Sequence, residues 1–199
     1  MIHAKERDSD RVKGLREQFR RDLEHLDPNK TWVVDESGAT CSMTRLWGRA
    51  PRGERVHDSV PGGHWKVQTI IGALRTDGVG ASLTFEGATD GEAFLTFVKK
   101  VLAPKLKAGD VVVLDNLSSH KVAGVSREIE KCGARLLYLP PYSPDFSPIE
   151  PAWSKLKQFL RSAAARTKEA LDQAIADGLR TITSSDARGY FRKCGYAVT

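Results

Sequence analysis

Cysteine is scarce in this sequence, and the three present (Cys41, Cys132 and Cys194) are odd in number, far apart and without a C-x-x-C pair. That pattern excludes a disulfide framework and a thiolate zinc site, and fits reduced thiols. No stretch approaches the ~20 consecutive apolar residues that a membrane-spanning helix needs, so no membrane partner is expected. The first 30 residues are densely charged and lack the apolar run of a secretory signal, which points to a soluble, cytoplasmic protein. Internal repeats and low-complexity tracts are missing as well.

What is there suffices for one well-packed domain and is short for two: 199 residues, 40% of them apolar. The net charge of +6 is unevenly spread. Residues 1–30 carry 8 basic and 7 acidic groups, residues 31–150 carry 14 of each, and residues 151–199 carry 9 and 4. A basic C-terminal quarter on a neutral middle suits a phosphate-binding face.

Along the chain, Val12, Leu15, Phe19, Leu23 and Leu26 mark one face of an amphipathic helix ended by Asp27-Pro28. Thr31 to Asp35 reads as a short buried strand finishing on a carboxylate, after which Glu36-Ser37-Gly38 turns the chain away. Lys66–Leu74 and Ala81–Phe85 flank a turn at Asp77-Gly78, a hairpin signal. Glu92–Leu106 has helical spacing, with Thr89 or Asp90 placed as cap. Val111–Leu114 is a wholly apolar run, as expected of a central parallel strand, and it too ends on an aspartate, Asp115.

A helix near 122–131, a strand at Arg135–Leu139 and a stiff loop at Pro140–Pro144 follow. A helix then starts at Pro148 with Ser147 as N-cap, and two more are expected near 168–182 and 187–193. Three antiparallel strands, then helix, strand, helix, strand, helix, is the order of an α/β ribonuclease H-like fold, a mixed five-stranded sheet flanked by helices. The expected division is an N-terminal helix and linker (1–30), a catalytic domain (31–165) and a C-terminal helical extension (166–199).

In that fold, Asp35 and Asp115 stand at the C-terminal ends of neighbouring strands, and the proline loop swings Glu150, in the first turn of its helix, toward them. Close like charges raise each other's pKa and call for a cation. An all-oxygen set favours Mg²⁺ or Mn²⁺ over zinc, and two such ions would serve in-line attack on a phosphodiester by water or a DNA 3′-hydroxyl. Glu36 and Asp145 are rival ligands.

Leu114-Asp-Asn-Leu-Ser-Ser-His-Lys121, with Leu139-Pro-Pro-Tyr-Ser-Pro-Asp-Phe-Ser-Pro-Ile-Glu-Pro-Ala-Trp-Ser-Lys-Leu-Lys157, resembles the signature of DDE transposases of the bacterial insertion-sequence family "IS six-thirty", relatives of the mariner elements. Val34–Gly38, Trp47–Arg55 and Tyr190–Tyr196 are similar to it too, so the likeness spans roughly residues 31–196. It implies that Asp35, Asp115 and Glu150 bind the metal and that the partners are transposon-end and target DNA. It also implies a homodimer on paired ends and a nucleoid-associated site of action. Ser147 stands where the family usually has Asn.

Such enzymes carry an upstream helix-turn-helix region that 30 residues cannot hold, so end recognition is expected from a separate domain or upstream polypeptide. Lys157 and Arg161 share a helical face with Glu150 and are expected to grip phosphates. Asn116, His120 and Lys121, after the second acid, are expected to orient the metal site or touch DNA. Arg45, Arg49, Arg52 and Arg55 follow the first strand, where mariner enzymes place a loop that reaches the partner subunit; DNA or a second protomer is its expected target. Other open readings are a nuclease of the same fold without strand transfer, and a non-catalytic binding domain.

Overall fold

Backbone pairing, more than the hydrophobic pattern, sets the strand limits in the computed structural model, which describes residues 4–63 and 65–198. The five strands are β1 (Thr31–Ala39), β2 (Gln68–Arg75), β3 (Gly78–Glu86), β4 (Val111–Leu114) and β5 (Arg135–Tyr138), in the sheet order β3-β2-β1-β4-β5. β1, β2 and β3 pair antiparallel, and β4 lies parallel to both β1 and β5. β1 does not stop at Asp35. It runs on to Ala39 because Glu36, Ser37 and Gly38 pair with Ile71, Ile70 and Thr69 of β2, which satisfies backbone groups that a turn would have left to water.

Alternation along the strands divides the core in two. Val33, Ile70, Leu74, Val111 and Val113 face one layer, built from α1 (Asp10–Glu24), α4 (Ile149–Ala163), α5 (Lys168–Arg180) and α6 (Ser184–Lys193). Trp32, Val34, Ile71, Val112 and Leu114 face the other, built from α2 (Gly91–Phe97) and α3 (Val125–Lys131). The helices before and after the expected catalytic segment thus share its core rather than standing apart. Among the described residues no helix is long and apolar enough to cross a membrane.

Local chemistry explains the departures from expectation. The α2 region, expected as one helix to Leu106, widens into a π turn over Val98–Leu102 and tightens into a 3₁₀ turn at Ala103–Lys105, because Pro104 has no N–H to continue the ladder. Asp90 rather than Thr89 caps α2, accepting from the Ala93 amide at 2.8 Å. Ser147 does not cap α4 with its side chain. Pro148 occupies the boundary, and the Ser147 carbonyl accepts from the Glu150 amide at 3.2 Å. Thr183 and Asp186 form an unforeseen capping box on α6.

On α1, Leu15 is exposed and Arg16 is buried in its stead. The Arg16 guanidinium grips both oxygens of Asp145, at 3.0 and 2.6 Å, and reaches Ser143 Oγ at 2.6 Å, while Arg7 adds a contact to Asp145 at 3.1 Å. α1 thereby clamps the proline loop that leads into α4. Burial pushes the Asp145 carboxyl up, but Arg16 and Arg7 outweigh it and hold the group below the usual carboxylate range.

A folded-state pKa below the unfolded one contributes stability above the unfolded value, about 3.9, and loses it as pH falls through the folded value. Asp145→Asn should therefore lower stability by about 1–2 kcal/mol at pH 7. Urea melts of variant and parent should converge as pH drops below about 4; a gap that stayed constant down to acid pH would contradict the ion-pair account.

Candidate active site

The acids gather where β1 runs on past the C-terminal end of β4. Thr31 to Val33 pair in parallel with Val111 to Val113, and the same offset carried two residues further sets Asp35 beside Asp115. Asp35, Asp115 and Glu150 line one cleft of about 500 Å³, together with Arg11, Asn116 and the proline loop from Leu139 to Pro144. Glu150 enters from the first turn of α4 and is exposed, its carboxylate without a hydrogen-bond or ion-pair partner among the described residues.

Asp35 is the strained acid of the three. Burial is the main cause, and the charges of Glu150, Glu36 and Asp115 add to it against one backbone hydrogen bond, so its pKa is pushed up to about 7. Trp153, from the second turn of α4, is buried and donates Nε1–H to Asp35 Oδ2 at 3.0 Å. Its ring reaches that far because Gly72, the cross-strand partner of Asp35, has no side chain: a Cβ there would lie 2.5 Å from the indole.

Asp115 is held differently. Its Oδ1 accepts from the Leu117 amide at 2.9 Å and lies 2.6 Å from His120 Nδ1, an ionic approach off the line of a hydrogen bond. Burial pushes the carboxyl up, yet these contacts and the charges of His120 and Lys121 leave it below the usual carboxylate range.

His120 is wholly buried, stacks on Phe94 at 4.1 Å between ring centroids, and turns Nε2 to both oxygens of Glu36 at 2.9 and 3.0 Å. Burial alone would lower its pKa; the two carboxylates outweigh that and push it up to about 9. Of the two expectations for His120, orienting the site or touching DNA, its burial goes against the second: a side chain with no exposure, held by Glu36 and 2.6 Å from Asp115, does not reach a duplex.

The rivals are accounted for by alternation and by the clamp on the loop. Glu36, one residue past Asp35, points to the opposite face of β1 and is occupied by His120, while Asp145 is occupied by Arg16 and Arg7. Asn116 donates Nδ2–H to the Leu139 carbonyl, tying the end of β4 to the proline loop. Lys121 is exposed and lies over the Tyr138 ring at 5.5 Å.

Lys157 and Arg161 are half-buried on α4 and line none of the acid cleft, and Arg45, Arg49 and Arg52 lie on the exposed 45–60 segment and do not line it either. Leu46 and Trp47 on that segment are also exposed, the latter at 89%, and Arg166 pins its root through the carbonyls of Cys41 and Met43. Sequence reasoning missed Arg11 on the cleft wall, the Trp153 bond and the His120–Glu36 pair. Only the position of Trp153, three residues past Glu150, gave a signal.

Three carboxylates around one cleft, the pKa of one raised chiefly by burial and further by its neighbours' charge, form an oxygen donor set that suits Mg²⁺ or Mn²⁺. Among the described residues no three acidic, histidine or cysteine side chains already converge on one point; the three acids border the cleft without forming a closed ligand set.

A family model described as DDE superfamily endonuclease matches residues 30–172. No curated protein matches the chain. The chain superimposes on the Mos1 transposase paired-end complex with left transposon end at TM-score 0.77 and 14% identity, covering 98% of this chain and 61% of that one. For the Mos1 mariner paired end complex with Mn the figures are 0.73, 15%, 98% and 61%. For the catalytic domain of Mos1 mariner transposase they are 0.70, 14%, 98% and 91%. The chain therefore spans about 61% of the length of the first two relatives and most of the isolated catalytic domain. At such identities the likeness speaks for the fold, which is ribonuclease H-like.

The Gly72 notch yields a test of the Asp35 environment. Gly72→Ala should push the Trp153 ring out of its seat and lower stability by about 1–3 kcal/mol, read as a drop in thermal midpoint. An unchanged midpoint would show that the indole is not wedged against β2.

Proposed function

The chain belongs to the DDE superfamily of endonucleases, and on that premise we propose that it is the catalytic domain of a cut-and-paste DNA transposase of the "IS six-thirty" type. It cleaves phosphodiesters at transposon ends and joins the ends to target DNA. The observation that carries this reading is the shared cleft of Asp35, Asp115 and Glu150 beside the C-terminal end of β4, where it runs parallel to β1. Mos1 complexes have been solved with Mg and with Mn, and the donors here suit the same ions.

Asp35, Asp115 and Glu150 would hold two divalent cations. Bound there, the ions would supply activation of a water or 3′-hydroxyl nucleophile and neutralise the departing oxygen. The chain's own part is to hold the three carboxylates around the scissile phosphate and to grip the flanking backbone. Arg11 on the cleft wall and the α4 residues Lys157 and Arg161 are the phosphate contacts, with Lys121 and Asn116 at the other rim.

The exposed segment bearing Arg45, Arg49, Arg52 and Trp47 serves the second protomer or its DNA in a dimer on paired ends. Sequence-specific end recognition is assigned to a separate helix-turn-helix domain or upstream polypeptide, because α1, α5 and α6 spend their apolar faces on the core. The divisions at about residues 30 and 165 then mark chain segments of one catalytic unit. Its place of work is the bacterial cytoplasm, on the nucleoid.

Asp35→Asn, Asp115→Asn and Glu150→Gln should each lower cleavage of an end-bearing duplex by at least about a thousandfold in Mg²⁺ or Mn²⁺ while leaving the fold intact, since each removes a charge that the cations balance. Any variant that kept near-parental turnover would remove its residue from the triad. Joining of a pre-nicked 3′-end to a second duplex separates a transposase from a plain nuclease of the same fold.

A further inference from the structure

Two side chains that the proposed chemistry leaves unused reach the acids from opposite layers of the sheet. Trp153 comes from α4 and occupies Asp35 Oδ2; His120 comes from the 3₁₀ turn at Ser118–Lys121 and, with the Leu117 amide, occupies Asp115 Oδ1. We propose that Trp153 and His120 are a pair of positioning residues, each seizing one oxygen of an aspartate so that Asp35 and Asp115 present a single fixed oxygen apiece to the cleft. The inference rests on the metal-site reading above and deepens it.

Both struts are themselves held, which is what positioning requires. The Trp153 indole is buried, seated on Gly72 directly across from the aspartate it serves. The His120 ring is held by Phe94 at its face and by Glu36 at Nε2, and its backbone by bonds from its own amide to the Leu117 carbonyl at 3.1 Å and from Tyr138 Oη–H to its carbonyl at 3.3 Å. Glu36 is thus the support of a support: its carboxylate orients the imidazole and does not face the cleft. Glu150, by contrast, has no such partner among the described residues. Two rigid single-oxygen ligands and one mobile acid form a site that is open for substrate and closes by one side-chain movement.

The test uses the 199-residue chain and Mn²⁺ as probe, with Trp153→Phe (ring kept, donor removed) and His120→Gln beside Asp35→Asn as reference. Free Mn²⁺ is followed by electron paramagnetic resonance, and kcat and KM are measured on a pre-nicked end duplex. Positioning predicts Mn²⁺ binding weakened about tenfold in both variants and kcat lowered about 10- to 100-fold, with KM for DNA within about twofold of the parent. A merely structural role would lower the melting temperature and leave Mn²⁺ affinity unchanged, which would overturn the proposal, as would unaltered kcat. If one variant does not fold, the other decides by the same criteria. Should Asp35→Asn bind Mn²⁺ and cut like the parent, the carboxylate reading itself fails, whatever the struts do.

Discussion

The parallel pairing of β1 with β4 is the constraint from which the site follows. Three consecutive pairs, Thr31 with Val111 through Val33 with Val113, commit the next positions, and both strands then carry an aspartate at the same level. Side chains of neighbouring parallel strands cannot part once the ladder is formed, so two carboxylates are forced together at a place where the apolar layers above and below thin out. The fold holds this repulsion in place through the buried run Val111–Leu114, which fits only the centre of the sheet. Burial, with the charges of Glu150, Glu36 and Asp115 adding to it, raises the Asp35 pKa.

Everything around the pair serves to aim it or to bring the third acid. Strand alternation sends Asp35 toward α4 and Glu36 toward α2, so one strand supplies both a cleft acid and the anchor of His120. The proline loop would be a long lever if it were held at its ends alone. Arg16 and Arg7 grip it through Asp145, and Asn116 fixes its root at Leu139. Glu150 therefore arrives on a helix whose start is fixed, with freedom left only in its own side chain.

Much of this was legible in the sequence because it depends on local periodicity. The unbroken apolar run of β4, the Asp77-Gly78 turn and the helical spacing after residue 148 each have one sensible reading, and the aspartate that ends β4 followed from the first; Asp35, expected at a strand end, lies in the middle of β1. What escaped depended on partners distant along the chain. Nothing near Asp35 announces that β2 will extend β1 to Ala39, and nothing near Arg16 on an otherwise amphipathic helix announces Asp145. His120 was expected to orient the site or touch DNA, and its burial, which goes against the second, comes from Phe94 and Glu36, which lie 26 and 84 positions away. Trp153 lies in the core, yet its indole N–H also needed an acceptor, and the buried acid supplies it.

The central claim is that three carboxylates of one cleft share divalent cations. A crystal soaked in Mn²⁺, with anomalous difference density measured at the manganese edge, tests it most directly. The account predicts density between Asp35 and Asp115 with Glu150 turned inward to join them. Density confined to other acids, or none near this trio at saturating Mn²⁺, would contradict it.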